Sequence, residues 1–101
     1  MADVKITVLR RMENKDLAEN FCLVEIPIPC PHMEEGQEFL VKENKQPEGF
    51  CSAAWQDIHK SFLFIRQGGN FKGWMKDEDT FITCCTDGLR PVVFEIKRIG
   101  E

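Results

Sequence analysis

The period of apolar and polar positions changes several times along the chain, and each change marks an element. In VKITVLRR (4–11), Val4, Ile6 and Val8 alternate with Lys5, Thr7 and Leu9. A period of two sends successive side chains to opposite faces, so this stretch reads as a half-buried strand. ENKDLAENF (13–21) spaces Leu17 and Phe21 four apart. They share one face of a short helix, with Asn14 or Asp16 as its cap. CLVEIPIPCPHMEEG (22–36) holds three prolines. It runs extended or turning, because proline donates no ladder hydrogen bond and biases its predecessor away from helix. QEFLVK (37–42) reads as a strand and ENKQPEG (43–49) as a polar loop.

From Cys51 the period becomes helical. Cys51, Ala54, Trp55, Ile58, Phe62 and Ile65 fall on one stripe, with Asp57, Lys60 and Phe64 facing away. Gln67 runs into Gly68-Gly69, and a glycine past the last turn ends a helix in the left-handed region. A helix over about 51–67 follows, its stripe laid on a sheet.

The chain closes with two strand-like runs around Asp87-Gly88, a strong hairpin signal. With those two residues as the turn, 80–86 pairs with 89–98. Cys85 then faces Arg90, Cys84 faces Pro91, and Phe81 faces Phe94. Phe81, Thr83 and Cys85 share one face with Arg90, Val92 and Phe94, and Cys84 points the other way with Ile82 and Val93. Pro91 marks an edge strand or a bulge. The expected fold is a single α+β domain over 1–101. It has a small antiparallel sheet of four to five strands, open or barrel-like, with one main helix packed on it.

Composition narrows the function classes. Thirteen basic and 17 acidic residues give a net charge of −4. Such a chain lacks the basic footprint that nucleic-acid binding needs. No apolar run approaches the roughly 20 residues of a membrane span. MADVKITVLRR has neither an apolar targeting core nor a small-residue cleavage site, so the expected location is the cytoplasm. The five cysteines, Cys22, Cys30, Cys51, Cys84 and Cys85, are odd in number and read as free thiols of a reducing compartment.

Four pieces in order, CPHMEEGQEFLV, PEGFCSAAWQDI, GGNF and CTDGLRPVVFEIKRI, cover most of the chain. The set resembles a family of short (about 90–100 residue) cysteine-containing proteins without an assigned activity, mostly from anaerobic bacteria and archaea, a length that suits one domain. The shared positions are Cys30-Pro31, Gly36, Phe39, Gly49, Cys51, Trp55, Gly68-Gly69, Cys85, Asp87-Gly88 and Arg90-Pro91. Cys22 and Cys84 lie outside them. The resemblance implies an anaerobic setting, which suits free thiols.

Candidate chemistry gathers on Cys51 and Cys85. A helix start carries unpaired N–H groups and about half a positive charge, surroundings that favour a thiolate at Cys51. Ser52 beside it can cap or donate, and Trp55 one turn on is either core or a pocket wall. CTDGLRP sets the Cys85 thiol near the Arg90 guanidinium, which suits a carboxylate or phosphate, with Asp87 at the turn. Against these readings, free cysteine packs well in apolar cores, and Asp-Gly is ordinary turn chemistry. Cys30, His32, Cys51 and Cys85 could be assembled into a zinc site, but no close C-x₂₋₄-C pair supports it, and no cofactor or metal is expected. QGGNFKGWM follows a helix, whereas a phosphate-cradling loop precedes one.

Three classes of function remain. The first is a ligand-binding or thiol-dependent enzymatic domain, with its site between the start of 51–67 and the 85–90 hairpin. There Cys51 and Cys85 are the reactive thiols, and Ser52, Trp55, Asp87 and Arg90 contact a small molecule. The second is an interaction module that meets a protein partner or a second copy through Phe71, Trp74 and Met75. The third is a metal or redox centre, which would need clustered cysteines.

Overall fold

A computed structural model of the chain describes residues 2–100. Its elements are β1 (Val4–Arg11), α1 (Lys15–Phe21), β2 (Glu38–Val41), α2 (Ser52–Arg66), β3 (Thr80–Cys84) and β4 (Val92–Arg98). The four strands form one antiparallel sheet in the order β2-β1-β4-β3, so the sheet is open and β2 and β3 are its edges. The fold is a small α+β domain.

The alternation in β1 does what its period requires. Val4, Ile6 and Val8 are buried on the helix-bearing face, with Phe39 and Val41 of β2 and Val92, Phe94 and Ile96 of β4. Ala54, Ile58, Phe62 and Ile65 of α2 complete that core. The last turn of α2 is closed twice. Gly68, at φ +98°, donates its N–H to the Ile65 carbonyl, a geometry that favours glycine. Arg98 then reaches across from β4 and donates Nη1 to the carbonyls of Ile65 (2.6 Å) and Gly69 (2.8 Å), while Nη2 pairs with Asp79. A cation suits the negative end of a helix.

The hairpin exists, but its register differs from the one the turn dipeptide predicts. Phe81 pairs with Ile96, Thr83 with Phe94 and Cys84 with Val93. Cys85 sits opposite Val92: its N–H donates to the Val92 carbonyl (3.0 Å), and Val92 N–H donates to Cys85 Sγ (3.3 Å). The pairing has slipped by two residues, so each side chain keeps its predicted face while its partner changes. Arg90 therefore does not face Cys85 across a ladder; it lies in a loop over 86–91. Gly88 is not in the positive-φ region, so no tight turn is built on it.

Non-local bonds explain the longer loop. Asn14 donates Nδ2 to the Gly88 carbonyl (2.6 Å) and N–H to the Leu89 carbonyl (2.8 Å), and Met12 N–H reaches the Pro91 carbonyl (2.7 Å). These bonds give the loop backbone partners that a two-residue turn would leave to water. Asn14 thus stands at the start of α1 without capping it through its side chain. Pro91 precedes β4, which lies inside the sheet, and the bulge falls on β1 between Val8 and Arg10.

Candidate functional site

Three segments far apart in sequence meet at a cavity of about 400 Å³. The 30–33 segment brings Cys30, His32 and Met33; the start of α2 brings Cys51, Ala53, Ala54 and Asp57; the 85–92 segment brings Cys85, Thr86, Asp87, Arg90 and Val92. Cys51 is the residue before the first turn of α2, with an extended backbone, so its thiol stands where the helix N–H groups are unpaired. Cys51 and Cys85 are half-buried against the core, and Cys30 is buried. Cys85 Sγ already accepts the Val92 amide, which fixes the sulfur's position at the cavity edge.

Hydrogen bonds through side chains hold the loop wall. Asp57, exposed as the wheel expects, accepts both the N–H (2.8 Å) and the hydroxyl (3.0 Å) of Thr86 on Oδ2. Asp87 Oδ1 accepts the N–H groups of Leu89 (3.0 Å) and Arg90 (3.2 Å), a side-chain-capped turn. Its Oδ2 takes Arg90 Nε at 3.0 Å. Arg90 Nη1 donates to the Pro27 carbonyl (3.0 Å), which ties the loop to the proline-rich segment. Nη2 has no protein partner among the described residues, which leaves its N–H groups for a ligand. Partial burial of Asp87 works to raise its carboxyl pKa. The Arg90 bond and the two backbone N–H donors together outweigh burial and hold it below the ordinary carboxylate value.

Four predicted site residues, Cys51, Cys85, Asp87 and Arg90, line this one cavity, whereas Ser52 and Trp55 do not. Ser52 is exposed, and its hydroxyl takes a bond from Gln46 Nε2 (3.1 Å). Trp55 turns toward the aromatic core, with ring centroids 4.9 Å from Phe62, 5.2 Å from His59 and 6.0 Å from Phe50. Cys22 lies in the segment after α1, and Cys84 is exposed on β3. Of the interaction candidates, Phe71 is a structural anchor stacked 4.3 Å from Phe81, whereas Trp74 is 71% exposed and Met75 is half-buried.

Sequence reasoning missed Asp57, Thr86 and Met33. The available signal was Ala53-Ala54: two methyl side chains at the start of an apolar stripe leave room beside the helix. Among the described residues, no group of three or more His, Cys, Asp or Glu side chains is arranged to hold a metal ion, Cys30, His32, Cys51 and Cys85 included. No helix among them is long and apolar enough to cross a membrane.

Fold and cavity together describe a small α+β domain with three thiols and a guanidinium around one cleft. No protein-family model, curated protein or solved structure matches the chain.

Proposed function

We propose that this protein binds a small anionic molecule in the cleft between the start of α2 and the 85–91 loop. Arg90 holds the anionic group, and Cys51 and Cys85 are the thiols that meet the rest of the ligand. One observation carries this reading. Cys51 at the start of α2 and Cys85 and Arg90 on the loop between β3 and β4 border a single cavity of about 400 Å³. That size suits a metabolite-scale ligand. A core cysteine needs no cavity beside it, and a solvated turn arginine needs no two-point brace. Asp87 and the Pro27 carbonyl fix the plane of the guanidinium, so its Nη2 N–H groups are pre-organised for an oxygen of a carboxylate or phosphate. Five unbonded cysteines fit a reducing cytoplasm, and the likeness to short proteins of anaerobes points the same way.

The test uses inorganic phosphate and succinate as probes in amide NMR titrations of the full chain, with wild type and Arg90→Ala compared. Saturable shifts at Cys51, Asp57 and Cys85 that vanish in the variant support the reading. Shifts scattered over the surface, or none with either probe, would sink it. Iodoacetamide labelling followed by mass spectrometry adds a second readout. Cys51 and Cys85 should label before Cys30, and more slowly once the cleft is filled.

A second reading is an interaction module, with the cysteines merely packed. It rests on Trp74, which stands 71% exposed at the edge of the Phe71–Phe81 stack. Uniformly slow labelling of Cys30, Cys51 and Cys85, with no probe binding, would favour it.

A further inference from the structure

The two carboxylates of the cleft are used differently by the protein. Asp87 has both oxygens engaged, Oδ1 by the Leu89 and Arg90 amides and Oδ2 by Arg90 Nε, so it serves as a brace for the loop. Asp57 has only one oxygen engaged. Its Oδ2 takes the N–H and the hydroxyl of Thr86, which orients the carboxylate, while Oδ1 has no partner among the described residues. Nor does any lysine or arginine among them form an ion pair with Asp57. An anchored carboxylate with an open oxygen thus lines the same cavity as Arg90, whose Nη2 is likewise open. The residues that hold these two groups, Thr86 and Asp87, are consecutive, with α-carbons about 3.8 Å apart. The acceptor and the donor therefore border one stretch of rim.

The charge of the lining favours a ligand of mixed sign. Asp57 and Asp87 face a single guanidinium there, and no lysine lines the cavity. Asp87 already offsets part of the charge of Arg90. A ligand with negative groups alone gains at Arg90 and loses at Asp57, because like charges repel most where protein displaces water. A protonated amine beside the ligand's carboxylate turns that loss into a charge-assisted hydrogen bond. Met33, Ala54 and Val92 supply an apolar wall for the rest of a small molecule.

We propose that the ligand of this cleft is an amino-acid-sized zwitterion, its carboxylate on Arg90 Nη2 and its protonated amine on Asp57 Oδ1. This rests on the anion site at Arg90 and adds the second contact, which sets the class of ligand.

Succinate and L-aspartate share one dicarboxylate skeleton and differ by an α-amine, so the ratio of their affinities isolates that contact. Amide NMR titrations of the full chain measure both. L-Aspartate should bind roughly three- to tenfold more tightly, the worth of one charged contact that water partly screens. L-Malate, with a hydroxyl in place of the amine, should bind like succinate. Asp57→Asn keeps an oxygen for the Thr86 donors and removes the charge, so the preference for L-aspartate should disappear. Glu48→Gln removes the same charge from an exposed position in the loop before α2 and should preserve the preference. Equal affinities for L-aspartate, L-malate and succinate in wild type overturn the proposal. A preference that survives Asp57→Asn, or that Glu48→Gln also abolishes, overturns it too. In each of those outcomes succinate still binds and the anion site stands. Should none of the three compounds shift the cleft amides, the anion site and the zwitterion fall together.

Discussion

Replacing Arg90 by alanine probes how the wall of the cleft is held. The substitution removes two interactions, the ion pair with Asp87 and the bond to the Pro27 carbonyl. Asp87 is 37% exposed and Arg90 22%, so water screens the pair and its worth is about 0.5–1 kcal/mol, in the range of exposed ion pairs. The bond to Pro27 adds about 1 kcal/mol. The expected loss is about 1–2 kcal/mol at neutral pH, which in a domain of this size lowers the melting temperature by roughly 5–12 °C. The pH dependence follows from Asp87, whose folded carboxyl lies below its ordinary value of 3.8. A carboxylate depressed in this way contributes fully above its unfolded pKa and loses the contribution as pH falls through the folded one. The gap between wild type and Arg90→Ala should therefore narrow once the pH drops below 3.8, leaving the share that belongs to the Pro27 carbonyl. Asp77 is also depressed, by the Asp79 N–H and by Lys97, but it titrates alike in both proteins and cancels in the difference. Thermal melts of wild type, Arg90→Ala, Asp87→Ala and the double variant at neutral and acid pH measure this. A loss below about 0.5 kcal/mol, or a gap that stays constant on acidification, refutes the account of the loop.

Three further substitutions test the packing. Phe62→Ala removes a fully buried ring at the centre of the α2–sheet core and should cost about 3–5 kcal/mol in urea denaturation. Gly88→Val should stay within about 0.5 kcal/mol of wild type, because Gly88 has no positive φ and open space around its α-carbon; a large loss would restore the tight-turn reading. Gly69→Ala should cost about 1 kcal/mol, since a β-carbon there would lie 2.5 Å from the Phe64 ring, and Phe64→Ala should relieve most of it.

The alternation in 4–11, the helical stripe from Ala54 to Ile65 and the strand-like runs on either side of Asp87-Gly88 were legible because each is a local period imposed by one buried face. The same logic assigned each hairpin side chain to its face, and a slip of two residues leaves that assignment intact. Cys51 at a helix start, and Cys85 near Arg90, were legible for a similar reason: short spacing along the chain limits how far they can lie from the elements beside them. Partners were not legible. Ser52 went to Gln46 and Trp55 to the aromatic core, because the first turn of a helix can face the cleft or the loop before it, and only packing chooses. Asp57 stays exposed as the wheel expects, and its partnership was not legible, because Thr86 presents an N–H and a hydroxyl to it from 29 residues away. The hairpin register was decided in the same way. Asp87-Gly88 favours a two-residue turn in isolation, but Asn14, Met12 and Pro27 satisfy the backbone and the arginine of a longer loop. Periodicity along the chain determined which residues became strand, helix and core. Long-range hydrogen bonds, whose donors and acceptors no local pattern pairs, decided where the loop stands and therefore that a cleft exists.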